Sequence, residues 1–513
     1  MHRKIIAVLL AMFPLFTLAQ KKDKHAVKAA ATITTDDLKK HLYTVASKEM
    51  QGRGTPSPGL DKAADYIEAH FKSAGLNPGN NGSYKQTYAL YKDSVISSSL
   101  KVNGQNFEIN NSFQPQSSNY TAEMKFAEVV FAGYGISDGD NRDDYKGLTV
   151  AGKLVMIIDG SPAGYKPSQQ GFASPASSFG KINAAMMKGA TGLLIVYNNF
   201  PRRATTTISA NWSMMGYKSF QSPFTFFISP AIASQITKTD GNFLEKTKNG
   251  EVPLKSYLAN VDLSFSKEIK TAFASNVIGV VEGSDLKDEY VFITAHYDHL
   301  GMRDTTIYYG ADDDGSGTVA VMELAEAFAK AKQEGKGPRR SVVFMTVSGE
   351  EKGLWGSGYY ANNPTFSLEK TTVDLNIDMI GRVDASRKTG DSMNYVYVVG
   401  DDKISSDLKV ISEATNKLYS KMELDYKFND PNDPNRIYFR SDHYNFAQKG
   451  VPIIFYYDGM LRADYHRPTD TPDKIYYPLL QKRAQLVFYT AWEMANRNEM
   501  LKRDIPLEKP KGF

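Results

Sequence analysis

Apolar residues recur with a helical period in the first part of the chain. Leu38, Leu42 and Val45 follow Thr34 and Thr35, either of which suits an N-cap, and predict a short helix. Ala63, Ala64, Ile67, Phe71 and Ala74 predict a stronger amphipathic helix, and Gly75 is placed to end it. The stretch between them, Gly52-Arg53-Gly54-Thr55-Pro56-Ser57-Pro58-Gly59, reads as a loop. From about Leu90 to Ser275 the texture changes. Short alternating strands, such as Phe126 to Tyr134 and Lys153 to Asp159, are mixed with Ser, Asn and Gly, with one helix near Phe179 to Lys188 and an apolar run from Gly192 to Tyr197. Two loop-rich stretches, Ser161 to Ser178 and Pro201 to Gln221, lie in this block. It predicts a β-rich domain inserted into another fold.

From Asn276 onward buried strands alternate with helices. Strands are expected at Tyr290 to Ala295, Ser341 to Val347, Val373 to Ile377, Tyr395 to Val399 and Pro452 to Tyr456. Ser316 is placed to cap a helix carrying Val321, Leu324, Ala325 and Phe328, and further helices fit Ile404 to Tyr419, Asp442 to Gln448 and Pro478 to Asn496. This alternation predicts an α/β fold with a mixed, largely parallel sheet covered by helices on both faces. The expected boundaries are 32–113 and 271–505 for this domain and 114–270 for the insert.

The N-terminus changes the picture of where the chain works. His2, Arg3 and Lys4 precede an apolar run from Ile5 to Leu18, and Thr17-Leu18-Ala19 ends it with small residues. The run is shorter than the roughly 20 residues of a spanning helix. We read residues 1–19 as a cleaved signal peptide, which implies an exported protein, periplasmic or extracellular, with no stable membrane insertion after cleavage. Residues 20–31, rich in Lys and Ala, are expected to be a disordered leader. The chain has no cysteine, so disulfides, a cysteine nucleophile and thiolate metal ligands are excluded. Its formal net charge of +4 in 513 residues gives no electrostatic case for nucleic acid.

The chemistry gathers at predicted strand ends, where α/β sheets form their sites. The first strand of the α/β region runs into His296-Tyr297-Asp298-His299. Asp312-Asp313-Asp314 precedes the next helix, Glu350-Glu351 follows the second strand, Asp378 follows the third, and Asp464-Tyr465-His466-Arg467 follows the last. Carboxylates crowded at one sheet edge repel one another without a cation. Imidazole with carboxylate is a donor set that zinc accepts.

These segments resemble a known family. His296-Tyr297-Asp298-His299-Leu300-Gly301, Gly310-Ala311-Asp312-Asp313-Asp314-Gly315-Ser316-Gly317, Ser348-Gly349-Glu350-Glu351-Lys352-Gly353-Leu354, Asn376-Ile377-Asp378-Met379-Ile380-Gly381, Arg440-Ser441-Asp442-His443 and Tyr465-His466 resemble, in order, the motifs of the zinc aminopeptidases of metallopeptidase family 28. The middle block resembles the protease-associated domain often inserted in that family, through Asp144 to Leu148, Gly152-Lys153 and the turn Lys188 to Gly192. The resemblance implies two zinc ions bridged by Asp313. His296 and Asp378 would complete one, and Glu351 and His466 the other. It implies Glu350 as general base, Asp298 as the carboxylate that holds the His296 ring, and Tyr465 as the oxyanion donor. His299 and His443 are expected to hydrogen-bond rather than bind metal. The implied substrates are peptides with a free N-terminus, with the insert expected to narrow access to the site without adding catalytic residues. Three alternatives stay open on the same fold: a one-zinc glutaminyl cyclase, a carboxypeptidase acting on acidic C-termini, and a non-catalytic receptor-like ectodomain.

Overall fold

The computed structural model describes residues 21–201, 211–214, 222–240 and 242–507. The expected signal peptide and most of the Pro201 to Gln221 loop lie outside the described residues. The chain divides into two compact units, Met1–Tyr88 with Phe273–Phe513, and Ala89–Ala272.

The first unit opens with three helices: α1 (Lys24–Ala30), α2 (Thr35–Val45) and α3 (Pro58–Ala74). The leader expected to be disordered is therefore helical. Asp23 caps it by accepting from the His25 N–H, and Ala26, Ala29 and Ala30 are buried on one side. Small side chains let this helix lie close to the C-terminal helix, where Gln485 donates to the Ala30 carbonyl at 3.0 Å and Trp492 to the Asp23 carboxylate at 3.0 Å. Thr34, not Thr35, caps α2, and Gly75 ends α3 in the left-handed conformation.

The sheet of this unit contains the end of β1 (Ser256–Val281) with β2 (Leu286–His296), β3 (Arg340–Val347), β4 (Thr371–Ile377), β5 (Tyr395–Val399), β6 (Glu423–Asp425) and β7 (Ile453–Tyr457). Their order across the sheet is β6-β5-β7-β4-β2-β3-β1. Pairs β2–β3, β2–β4, β4–β7 and β5–β6 are parallel, while β1–β3 and β5–β7 are antiparallel. The sheet is thus mixed and largely parallel. Its helices are α4 (Gly317–Gln333), α5 (Trp355–Asn362), α6 (Leu408–Leu418), α7 (His443–Ala447) and α8 (Tyr477–Asn496). Strand residues alternate between the two faces. Phe344 meets Phe328 of α4 at 5.8 Å on one face. On the other, Phe292 meets Tyr360 of α5 at 5.6 Å and Phe446 of α7 at 5.4 Å. Both faces carry helices, as the strand–helix alternation predicts.

The second unit begins earlier than expected, at residue 89 rather than 114. The reason is pairing and burial: Leu100 to Val102 pair with Gln105 to Phe107, Phe113 to Pro115 pair with Phe226 to Ile228, and Leu100, Val102 and Phe113 belong to this unit's core. The unit is also less purely β than expected. Ala122–Phe131, Leu154–Ile158, Gly192–Val196 and Phe224–Ile228 form a parallel series, and the helices Ser178–Met187, Pro230–Thr237 and Phe243–Lys248 accompany it. The runs LVMII, GLLIV and FTFFI are almost wholly buried, the pattern of a parallel strand rather than of an alternating one.

Candidate metal centre and catalytic cleft

The carboxyl ends of β2, β3, β4 and β7 deliver the singled-out residues to one place. His296 is the last residue of β2, and its Nε2 lies 3.3 Å from Asp313 Oδ1, 3.5 Å from Asp378 Oδ1 and 3.9 Å from Glu350 Oε2. His466 Nε2 lies 3.1 Å from both Asp313 Oδ2 and Glu351 Oε2. All five expected metal ligands and Glu350 are therefore brought together, with Asp313 facing both sides. His296, Asp313 and Asp378 form one cluster with donor atoms within 4.8 Å of one another. His299, Asp313 and Glu351 form a second. His299 Nδ1 is 2.8 Å from Glu351 Oε1 and 3.7 Å from Asp313 Oδ2, so it stands closer to the cluster than expected. His443 does not reach it and contacts the Tyr438 carbonyl through Nε2 at 2.8 Å.

Electrostatics argue that this cluster is built for a cation. His296 Nε2, His299 Nε2 and Asp313 Oδ2 are buried without an aligned hydrogen bond, and His299 Nδ1 and Glu351 Oε1, although 2.8 Å apart, do not align as one either. Burying such groups unpaired is costly, so a bound ion is the fitting partner. The titration tendencies agree. Burial would push His296 down, but Asp378, Glu350 and Asp313 outweigh it and drive it well above the usual imidazole range. Burial would likewise raise Asp313, yet the rings of His296, His466 and His299 hold it well below the carboxylate range. Glu350 goes the opposite way. Burial, reinforced by Asp378 and Glu351, lifts it well above the carboxylate range despite His296.

Local structure explains the placement. Gly310 enters the acidic loop at φ +56°, where a Cβ would sit 2.4 Å from both the Asp313 carbonyl oxygen and the His299 ring. Ser316 does not cap α4, contrary to its expected role: its hydroxyl donates to the Asp312 carbonyl at 2.8 Å and accepts from the Ile380 N–H at 2.9 Å. Asp314 supplies the cap, accepting from the N–H groups of Gly317 and Met379, both at 2.9 Å. Asp312 accepts from the Gly381 N–H at 2.8 Å. The two flanking aspartates thus tie the Asp313 loop to the segment carrying Asp378, which leaves Asp313 alone to face the cluster.

Asp298 departs from the role implied for it. The His296 Nδ1 meets the Asp298 backbone carbonyl at 3.0 Å, while the carboxylate is 3.8 Å away. A carbonyl only accepts, so Nδ1 carries a proton and Nε2 is the nitrogen offered to the cluster. The carboxylate of Asp298 instead accepts from the Thr55 hydroxyl at 2.9 Å and from the Glu350 N–H at 3.1 Å. Burial raises this carboxyl to about 6. Tyr465 stacks on His466 with ring centres 3.9 Å apart. A small cavity of about 30 Å³ is lined by Asp313, Glu350, Asp378, Arg440 and Tyr465, with Met379, Ile437, Phe455 and Leu461 supplying its apolar side.

Three supporting residues escaped the sequence reading. Arg53 is fully buried and donates to the carbonyls of Val45, Tyr297, Tyr309 and Gly310, at 2.6 to 2.8 Å. It pins the loops on either side of the cluster, and the only trace in the sequence is an arginine between two glycines. Asp470 accepts from the N–H groups of Asp312 and Asp313. Asp442 is buried and accepts from the Ser357 hydroxyl at 2.5 Å, and burial raises its carboxyl to about 7. An acidic residue near the last strand end was the available signal for Asp470.

Comparison with known proteins follows the same outline. Residues 276–491 match the profile described as peptidase family M28. Aminopeptidase YwaD of Bacillus subtilis is 22% identical over 355 residues, 68% of this chain and 64% of the relative. A probable leucine aminopeptidase 2 of Arthroderma benhamiae is 25% identical over 343 residues, 66% of this chain and 56% of the relative. A probable zinc metalloprotease of Leptosphaeria maculans is 39% identical over 112 residues, 21% of this chain and 24% of the relative. In each, the match covers less than two-thirds of the relative's own length. The solved aminopeptidase from Aneurinibacillus sp. strain AM-1 has a similar fold, with a TM-score of 0.50 at 21% identity, covering 94% of this chain and all of that one.

Proposed function

We propose that the chain, whose residues 276–491 match peptidase family M28, is an exported two-zinc aminopeptidase that removes the N-terminal residue of peptides. The observation that carries this is the position of Asp313, whose two oxygens face separate imidazole and carboxylate groups. His296, Asp313 and Asp378 would hold one zinc, and Asp313, Glu351 and His466 the other. Bound there, zinc supplies Lewis acidity toward the scissile carbonyl and makes water more acidic.

The chain's own groups divide the remaining work. Glu350 lines the cavity and has its backbone held by Asp298. Its raised affinity for protons suits a base that takes a proton from the attacking water and passes it to the leaving amine as the C–N bond breaks. Tyr465 faces the same cavity, and its hydroxyl donates to the oxyanion of the tetrahedral intermediate. Asp378 and Glu350 give the substrate's free ammonium an anionic surrounding, which favours an exopeptidase. The apolar lining from Met379, Ile437, Phe455 and Leu461 favours an apolar first side chain.

Export is supported by the basic start and apolar run of residues 1–19. Among the described residues, no helix is long and apolar enough to cross a membrane. A protease-associated identity for the insert is supported by its two matching stretches meeting, with the Gly152 N–H donating to the Gly189 carbonyl at 2.9 Å. The test is a panel of aminoacyl anilides and peptides run beside metal analysis. Close to two zincs per chain, loss of activity on chelation, and no cleavage of N-acetylated peptides are expected. Full activity with one zinc, or blocked peptides cut as fast as free ones, would sink the proposal.

A further inference from the structure

We infer that Arg440 is a positioning residue for Tyr465, holding its hydroxyl so that the phenolic proton points at the reacting carbonyl. One Arg440 Nη2 lies 2.9 Å from the Tyr465 oxygen. A guanidinium has only donors and stays charged in proteins, so the direction of this bond is fixed: arginine donates and tyrosine accepts. The phenolic proton is therefore not used in the pair, and no acceptor for it appears among the described residues.

Two constraints then define where that proton points. The ring plane is set by stacking on His466, with centres 3.9 Å apart and planes 18° from parallel. The rotation of the hydroxyl is set by Arg440, an exposed residue that lines the same cavity. Asp313, Glu351 and Asp378 also act on Tyr465 electrostatically, and Asp313 and Asp378 line the same cavity. Without Arg440, the nearby carboxylates would be the strongest attraction for the phenol, and its donor would be spent on them. Accepting a charge-assisted bond also polarises the O–H and makes it a stronger donor. Arg440 has this role only if Tyr465 is the oxyanion donor proposed above.

A double-mutant cycle on an aminoacyl anilide with an uncharged side chain tests this. Tyr465→Phe should lower kcat about 10²–10³-fold, the usual cost of one oxyanion donor. Arg440→Ala should lower kcat about 10- to 100-fold, as expected for a misplaced catalytic group, with KM changed less than threefold. On the Tyr465→Phe background, Arg440→Ala should cost almost nothing more, because its effect runs through the hydroxyl. Arg440→Lys should recover part of the loss. Two readouts besides turnover belong to the test. Zinc content should be unchanged, and a peptide phosphinate that mimics the tetrahedral species should bind Arg440→Ala about tenfold more weakly while the product amino acid binds as before. Additive losses in the cycle, or a defect confined to the KM of acidic substrates, would overturn the inference and leave the aminopeptidase reading standing. Full turnover by Tyr465→Phe would overturn the inference together with the oxyanion role proposed for Tyr465. If Arg440→Ala fails to fold, Arg440→Gln and Arg440→Lys carry the same comparison.

Discussion

Glu350 and Glu351 are neighbours in the chain with different surroundings. Glu351 reaches His299 at 2.8 Å and His466 at 3.1 Å, whereas Glu350 approaches only His296, at 3.9 Å. Glu350→Gln should therefore keep zinc and fold while turnover falls by about 10²–10⁴-fold, the usual contribution of a general base. Glu351→Gln should lose zinc as well as activity. Metal analysis of the two purified variants separates these outcomes, and equal zinc contents would refute the division of roles. The same measurement decides between the two histidines beside Glu351. If the proposed two-zinc centre holds, His466→Ala should lose one zinc, while His299→Ala should keep both with weakened affinity, because His299 is placed to brace Glu351. Arg53 makes a third case. Four carbonyls depend on it. Arg53→Met would strand them in the interior, and a loss of roughly 3 kcal/mol or more in denaturant unfolding is expected from several unmet acceptors at once.

At the scale of elements, β2 ends at His296, Asp378 directly follows β4, Glu350 comes three residues after β3, and Tyr465 and His466 lie in the loop after β7; this was legible because buried, mostly apolar strands give way to charged segments. The short helix α7 carries a less obvious device. His443, its first residue, stacks on Phe455 with ring centres 4.8 Å apart and contacts the Tyr438 carbonyl, and burial pushes the ring down to about 3. Its folded-state value lies below the ordinary one of about 6.5, so the unfolded chain binds the proton more readily. The resulting stabilisation is fully present above about pH 6.5 and is lost as pH falls toward 3, at about 1.4 kcal/mol per pH unit. His443→Gln keeps a donor for the Tyr438 carbonyl and should flatten the pH dependence of urea unfolding between pH 6 and 4 relative to the parent. Unchanged slopes would contradict it. The helix α1 shows the limit of reading elements from composition. Its Lys and Ala residues resemble a solvated leader until α8 offers a surface that the alanines can pack against.

For the whole molecule, each unit has its own buried core. The metal cluster lies entirely in the unit that contains residues 273–513. Carboxylates at its centre repel when the cation is removed, and a bound ion stabilises only the unit that binds it. Chelation should therefore raise amide exchange in residues 296–317, 348–354, 376–381 and 464–470, while residues 154–158 and 192–196 of the other unit exchange as before. Mass-spectrometric exchange with and without chelator checks this. Uniform loosening of both units would show that their stability is coupled.

Much of this protein was determined by the sequence alone. Hydrophobic period separates strand from helix locally, so the α/β order and the acidic and histidine segments after the strands could be placed before any fold was seen, and the resemblance of those segments to a known family singled out His296, Asp313, Glu350, Glu351, Asp378, Tyr465 and His466 within them. Tertiary structure decided what depends on partners distant in the chain. It set Asp314 rather than Ser316 as the cap of α4, because Asp314 also reaches the Met379 N–H, 65 residues away in sequence. It gave the ring of His296 to the Asp298 carbonyl and the Asp298 carboxylate to Thr55 and Glu350. It drew Arg53 across 244 residues to the Tyr297 carbonyl and moved the start of the insert to residue 89. Side-chain identity encodes what a group is able to do, but a hydrogen bond needs two groups within about 3 Å, and only folding brings residues so far apart in the chain to that distance.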